Sequence, residues 1–216
     1  MGIWFILPGI GLLVIIVLYI LNWYKGKQRR KIFKKLAETM NFTFSEKGDE
    51  SALYLGQFHL FSQGHFHRIS NVLTGMFGDI HVMIMDYKYT TSRGRYSSTY
   101  QQTVLTMESD RLLLPSFNLQ PTTLLYKIGH ILGEQDINFD TAPVFSKKYL
   151  LRGKDEESIR RLFNERVFEY YEHHPGLNTE GGGNKLIYYR NSKLVSLDEI
   201  QAFLQEGYDI FSLFKS

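Results

Sequence analysis

The hydrophobic pattern divides the chain into an apolar run, a basic run and a long mixed region. From Ile3 to Leu21 fourteen positions are Ile, Leu, Val or Phe, and no charged side chain occurs in the first 24 residues. At about 1.5 Å per residue this stretch spans roughly 28 Å, close to the thickness of a bilayer's hydrocarbon core. Trp4 at one end and Trp23 with Tyr24 at the other fit an interfacial aromatic belt. The pattern therefore predicts a transmembrane helix over 3–24, with Pro8, Gly9 and Gly11 near its N-terminal end, where freed backbone groups can reach headgroups and water. A cleavable signal peptide fits less well, because no basic residue precedes the run and Asn22-Trp23-Tyr24-Lys25 follows it. N-myristoylation fails because position 6 is Ile6 rather than Ser or Thr.

The basic run contains Lys25, Lys27, Arg29, Arg30, Lys31, Lys34 and Lys35. Positive residues beside a helix end resist translocation, so the expected topology is single-pass in the cell (inner) membrane, N-terminus outside, C-terminal domain in the cytoplasm. The same seven residues are the candidates for membrane-surface contact, either as topology determinants or as a site for acidic lipids. The spacing of Ile32, Phe33, Leu36, Ala37 and Met40 predicts that 25–40 forms a juxtamembrane helix with one apolar stripe.

The mixed region 41–216 is long enough for one domain with its own core. Strand-like alternation and β-branched or aromatic content mark 53–61, 66–74, 80–90 and 100–108, with 91–99 as a hairpin tip. Further on, 112–119 reads as extended, 122–132 as a helix stopped by Gly133, and 145–151 as a strand. Asp155-Glu156-Glu157 opens a helix whose apolar stripe runs from Ile159 to Tyr171. Segments 177–180 and 185–190 pair across Gly181-Gly182-Gly183-Asn184, and Ser196-Leu197-Asp198-Glu199 has the form of a capping box before a last helix. This order predicts an α+β fold in which the transmembrane helix precedes one domain, a bent antiparallel sheet with two or three flanking helices. A pleckstrin-homology-like barrel is the alternative architecture.

Composition changes the picture at one point. Seven of the 25 Lys and Arg lie in the basic run, so residues 36–216 carry 18 against all 22 Asp and Glu, a formal charge of −4 where the whole chain has +3. A domain with that balance and no binding motif is not expected to bind nucleic acid. The absence of cysteine agrees with a reducing compartment.

Three stretches carry a resemblance: Val82 to Tyr87, Leu114 to Pro121, and Ile137 to Asp140 continuing through Phe145 to Gly153. On these the chain resembles a group of uncharacterised bacterial single-pass membrane-anchored proteins. The resemblance, over roughly residues 25 to 210, implies a bacterial inner-membrane protein and supplies no site residues.

Candidate chemistry is sparse. His65 and His67, two apart, would share one strand face, with His59 and His81 as neighbours, and imidazole is the commonest transition-metal ligand. Against a metal site stands the lack of a visible third ligand; ordinary surface histidines explain the pattern as well. Asp136 and Asp140 offer paired carboxylates for acid–base work or a cation, or simply turn caps. His173-His174 suits a helix C-terminus. No phosphate loop, dinucleotide fingerprint, zinc-protease helix or nucleophile elbow occurs, and no motif calls for a cofactor. Two functions follow: a membrane-tethered binding or interaction domain with a protein partner at the bilayer, or a membrane-tethered hydrolase using His65, His67 and Asp86 or Asp136.

Overall fold

Alternating strands gather into one sheet because each hides one apolar face, and here both faces are covered. The computed structural model describes residues 3–48, 55–122, 136–196 and 198–215. Helix α1 (Ile3–Met40) leads into β1 (Thr43–Lys47), a short α2 (His59–Ser62), then β2 (His65–Phe77), β3 (Ile80–Arg93), β4 (Tyr96–Glu108) and β5 (Leu114–Pro121). Helix α3 (Pro143–Lys148), β6 (Tyr149–Arg152), α4 (Glu156–Leu162), α5 (Glu165–His173), β7 (Asn178–Gly183), β8 (Lys185–Tyr189) and α6 (Ile200–Phe214) complete the order. The eight strands form a single antiparallel sheet in the order β1-β2-β3-β4-β8-β7-β5-β6.

The larger core lies on the face where Ile84, Leu105, Leu119 and Tyr188 meet Phe33 of α1, Ile159 of α4, Val167 and Tyr171 of α5, and Phe203, Ile210 and Phe211 of α6. Helix α6 lies close enough to β4 that a Cβ at Gly207 would sit 2.1 Å from Leu105 Cδ2, so only glycine fits there. The opposite face holds a smaller cluster of Met85, Tyr87, Tyr89, Val104, Ile187 and Tyr189, roofed by Leu55, Phe58 and Leu60 around α2. Strand β2 bulges twice, at His65/Arg68 and Ser70/Leu73, where Phe66 and Asn71 take φ of 54° and 52°.

Several elements differ from the sequence expectation. In the stretch 53–61 the described part leads into helix α2 rather than a strand, because Glu180 from β7 accepts the amides of His59 and Leu60 and fixes that turn. The hairpin tip shrinks from 91–99 to Gly94-Arg95, with Thr91 paired to Ser98 and Arg93 to Tyr96. The expected strand 145–151 is a helix followed by a strand. The long helix after Asp155 breaks at Phe163-Asn164, where Asn164 Oδ1 accepts the Val167 amide and starts a new helix. Ser196 Oγ donates to Glu199 instead of accepting its amide, and α6 begins a turn later. The expected helix 122–132 lies, from residue 123 onward, outside the described residues.

The largest correction concerns the N-terminus. Among the described residues no helix is long and apolar enough to cross a membrane. The transmembrane helix over 3–24, and with it the single-pass inner-membrane location with an outside N-terminus and a cytoplasmic domain, is therefore not supported. Summing only the apolar positions left out the cost of Pro8, Gly9, Gly11 and Asn22, and treated 3–24 as a separate unit. It is the first part of one 38-residue helix that runs into the domain. Phe33 and Ala37 of that helix are buried in the larger core.

The helix is held by an ion pair. Arg29 Nε and Nη2 donate to the Asp86 Oδ2 and Oδ1 atoms at 2.6 and 2.7 Å, and Nη1 donates to the Val195 carbonyl at 2.8 Å. The side chain of Asp86 is 1% exposed and also accepts from Asn71 Nδ2 and Thr103 Oγ1. Removing one partner of a buried pair leaves the other charge uncompensated, which costs about 3–5 kcal/mol. Arg29→Met should lower the urea-unfolding free energy by about that much, and Arg29→Met with Asp86→Leu should recover a large part of it; equal losses in both would show that the pair's charge is not what matters. A chain beginning at Lys25 should keep the parental urea midpoint, whereas one beginning at Leu36 lacks Arg29 and Phe33 and should lose most of its stability. Equal midpoints would detach α1 from the fold.

Candidate functional site

The register of β6, β5 and β7 sets Arg152 opposite Asn118, and Asn118 opposite Glu180. Residues directly opposite in an antiparallel sheet share a face, so these three form one polar row across three strands. Leu119 and Leu151 alternate to the other side and fill the larger core. The row floors a cavity of about 420 Å³ whose walls include Gln57, His59, Ser116, Gln120 and Lys154. Gly153 makes the rim possible: a Cβ there would lie 2.4 Å from the Ser116 carbonyl, so only glycine lets the chain leave β6 this close to β5.

Glu180 closes one end of the cavity at 1% exposure. Its Oε2 accepts the His59 amide at 2.5 Å, and its Oε1 accepts the Leu60 amide and the Tyr189 hydroxyl, each at 3.1 Å. Burial pushes its carboxyl up to about 7, and these three hydrogen bonds offset only part of that shift. At the other end Arg152 Nε donates to Asp136 Oδ1 at 2.7 Å, the arginine side chain being 14% exposed.

The residues singled out from sequence do not converge. Bulging at Phe66 separates His65 from His67: His65 Nε2 faces Ser92 Oγ at 3.4 Å, and His67 Nδ1 lies 2.6 Å from the Tyr87 hydroxyl. Asp86 sits on the opposite face from Tyr87, held by Arg29, so it cannot meet His67. Asp136 serves Arg152, Asp140 lies in an exposed turn, and His59 is taken into the α2 turn. His81 borders a separate cleft of about 300 Å³ with Leu55, Phe58 and Met83. His173 and His174 each bond a carbonyl four residues back at the end of α5. Among the described residues no three His, Asp or Glu side chains are grouped to hold a metal ion.

Of the seven basic residues, Arg29 is committed to Asp86, and Arg30 pairs with Glu46 at 3.3 Å on the surface. Lys25, Lys27, Lys31, Lys34 and Lys35 remain exposed. Preceding them, the described side chains from Leu13 to Tyr24 are exposed apolar and aromatic groups such as Ile16, Val17 and Trp23.

Sequence reasoning missed Glu180, Asn118, Arg152 and Lys154. The available signal was Glu180 itself, an acid in the middle of a strand with buried neighbours on both sides.

Fold and cavity together define a single-sheet α+β domain with a polar pocket on the sheet face opposite its larger core. No protein-family model matches the chain, and no curated protein matches it. Among solved structures it is similar to the crystal structure of the mycobacterial trehalose monomycolate transport factor A, TtfA. The TM-score is 0.61 at 10% sequence identity, over 86% of this chain and 93% of that one. At that identity the likeness shows a shared fold.

The raised carboxyl of Glu180 has a pH consequence. The folded state holds its proton up to about pH 7, while the unfolded chain releases it near 4.5. The folded state thus binds more protons between those values, so its advantage is full below about pH 4.5 and is lost as pH rises through 7. The window corresponds to a contribution on the order of 3 kcal/mol. Urea unfolding should show the parent losing more stability from pH 5 to pH 8 than Glu180→Gln does; parallel pH profiles would assign the slope to other groups.

Proposed function

We propose that the protein is a non-catalytic binding domain whose ligand site is the pocket over β5, β6 and β7. The observation that carries this reading is the state of the pocket's side chains. The carboxylate inside it is committed to two backbone amides and a tyrosine hydroxyl, and no nucleophile stands beside a base, whereas concave sites with convergent polar groups are the usual form of ligand pockets. The hydrolase reading lacks its constellation, since His67 and Asp86 face opposite sides of the sheet. The structural neighbour is a transport factor by its title, which is in keeping with a domain that binds rather than reacts.

Ser116 is exposed on the pocket wall, so Ser116→Trp should fill the space without disturbing the core. Fractions of a deproteinised cell extract should raise the melting temperature of the full chain, because a ligand present at 100 times its Kd stabilises by about 2.7 kcal/mol. The Trp variant should not respond. A parent that no fraction stabilises, or a variant stabilised equally, refutes the pocket as the site.

The exposed apolar run from Leu13 to Tyr24 favours a second reading, contact with a protein partner, because contiguous apolar surface of this kind marks interaction sites. Ile16→Asp with Ile20→Asp should then remove a co-purifying protein while leaving the urea midpoint unchanged. An identical co-purification profile counts against it.

A further inference from the structure

Hydrogen-bonding capacity is used unevenly around the pocket. Glu180 has both oxygens occupied, yet the side-chain amides of Gln57, Asn118 and Gln120 make no hydrogen bond among the described residues, although Gln120 is only 9% exposed. Arg152 gives its Nε to Asp136 and keeps both terminal nitrogens unengaged. Lys154, at the rim, makes no ion pair.

The balance of these groups is directional. Arginine and lysine can only donate, amides donate and accept, and the one carboxylate lining the pocket has no free oxygen to receive a ligand's proton. The surplus is therefore in donors. Charge points the same way: Asp136 offsets Arg152, and Lys154 is left as the unbalanced charge beside the cavity. A neutral polyol would leave the ammonium without a counter-charge. An oxyanion accepts from ammonium, guanidinium and amide together, and charge-assisted hydrogen bonds of that kind are the strong ones.

Resting on the pocket-binding reading above, we infer that this pocket recognises the oxyanion of a small molecule, a phosphate or a carboxylate, with Lys154 and the free edge of Arg152 as its charge partners and Asn118 and Gln120 as its amide donors. The planar guanidinium edge suits either anion, because both offer two oxygens in one plane. Asp136 holds Arg152 by Nε, which leaves that edge turned to the pocket as a positioned donor. Gly153 places Lys154 beside it.

The test uses the ¹⁵N-labelled full chain, titrated at constant ionic strength with inorganic phosphate, with acetate and with glycerol as a neutral control. Saturable shifts should appear in the amides of Ser116, Asn118 and Gly153 with one or both anions, and whichever anion saturates identifies the source of the charge. Lys154→Gln should weaken that binding by about tenfold, the size of one exposed charged hydrogen bond, and Lys154→Arg should restore it. Shifts that do not saturate with either anion, or an affinity untouched by Lys154→Gln in a variant with the parental urea midpoint, overturn the inference. Saturation by glycerol alone overturns it while leaving the pocket-binding reading in place, and silence from all three together with every extract fraction removes both.

Discussion

A guanidinium from the first helix, closed on a carboxylate in the middle of the sheet, is the contact on which the larger core depends. Arg29 reaches Asp86 on β3 and the carbonyl of Val195, the residue from which the chain turns toward α6. Thr103 completes the set: its single hydroxyl donates to Asp86 and accepts from Arg29 and from the Val195 amide. One buried cluster thereby joins the N-terminal helix, two central strands and the approach to the C-terminal helix. Such a cluster is weak as a source of net stability and strong as a determinant of arrangement, since any packing that separates its members strands a charge. Phe33, one turn further along α1, then buries against the sheet beneath the arginine.

The two faces of the sheet have been put to different use. One accepts four helices and closes. The other carries stacked tyrosines, Tyr87 on Tyr89 and Tyr89 on Tyr100, and turns polar only over β7, β5 and β6. Burial raises the hydroxyl pKa values of Tyr87 and Tyr89, so that side stays neutral. Glu180 is the boundary between the two regimes: it turns α2 over the aromatic cluster and ends the pocket. A second tie, the bidentate Arg190–Glu206 pair at 2.7 Å, fixes α6 against the end of β8 on the far side. Burial opposes the charge on Glu206, but Arg190 and Tyr188 outweigh it and hold its carboxyl below the usual range.

The N-terminal third shows how a correct observation led to a wrong unit. The apolar run and the basic run are both real features of the sequence, but the helix does not divide between them, and Arg29 is spent inside the domain. Positive charge after an apolar stretch reads as topology only while the charges are free. Which of them are free is a property of distant residues, here Asp86, 57 positions away.

By itself the sequence determined what depends on neighbours along the chain. Alternation marked β2, β3 and β4, apolar spacing marked α5 and α6, and the Gly181–Asn184 stretch marked the β7–β8 hairpin, because side-chain period and turn chemistry are local. Tertiary structure decided the rest. The stretch ending at Phe61 turns into a helix because a carboxylate 121 residues later accepts its amides. His65 and His67 part because β2 must bulge to stay in register with β3. The pocket exists because Arg152, Asn118 and Glu180 fall into one row across strands that are far apart in sequence. Register between such strands is set by burying whole apolar faces at once, a sum over many residues that no single stretch of chain contains.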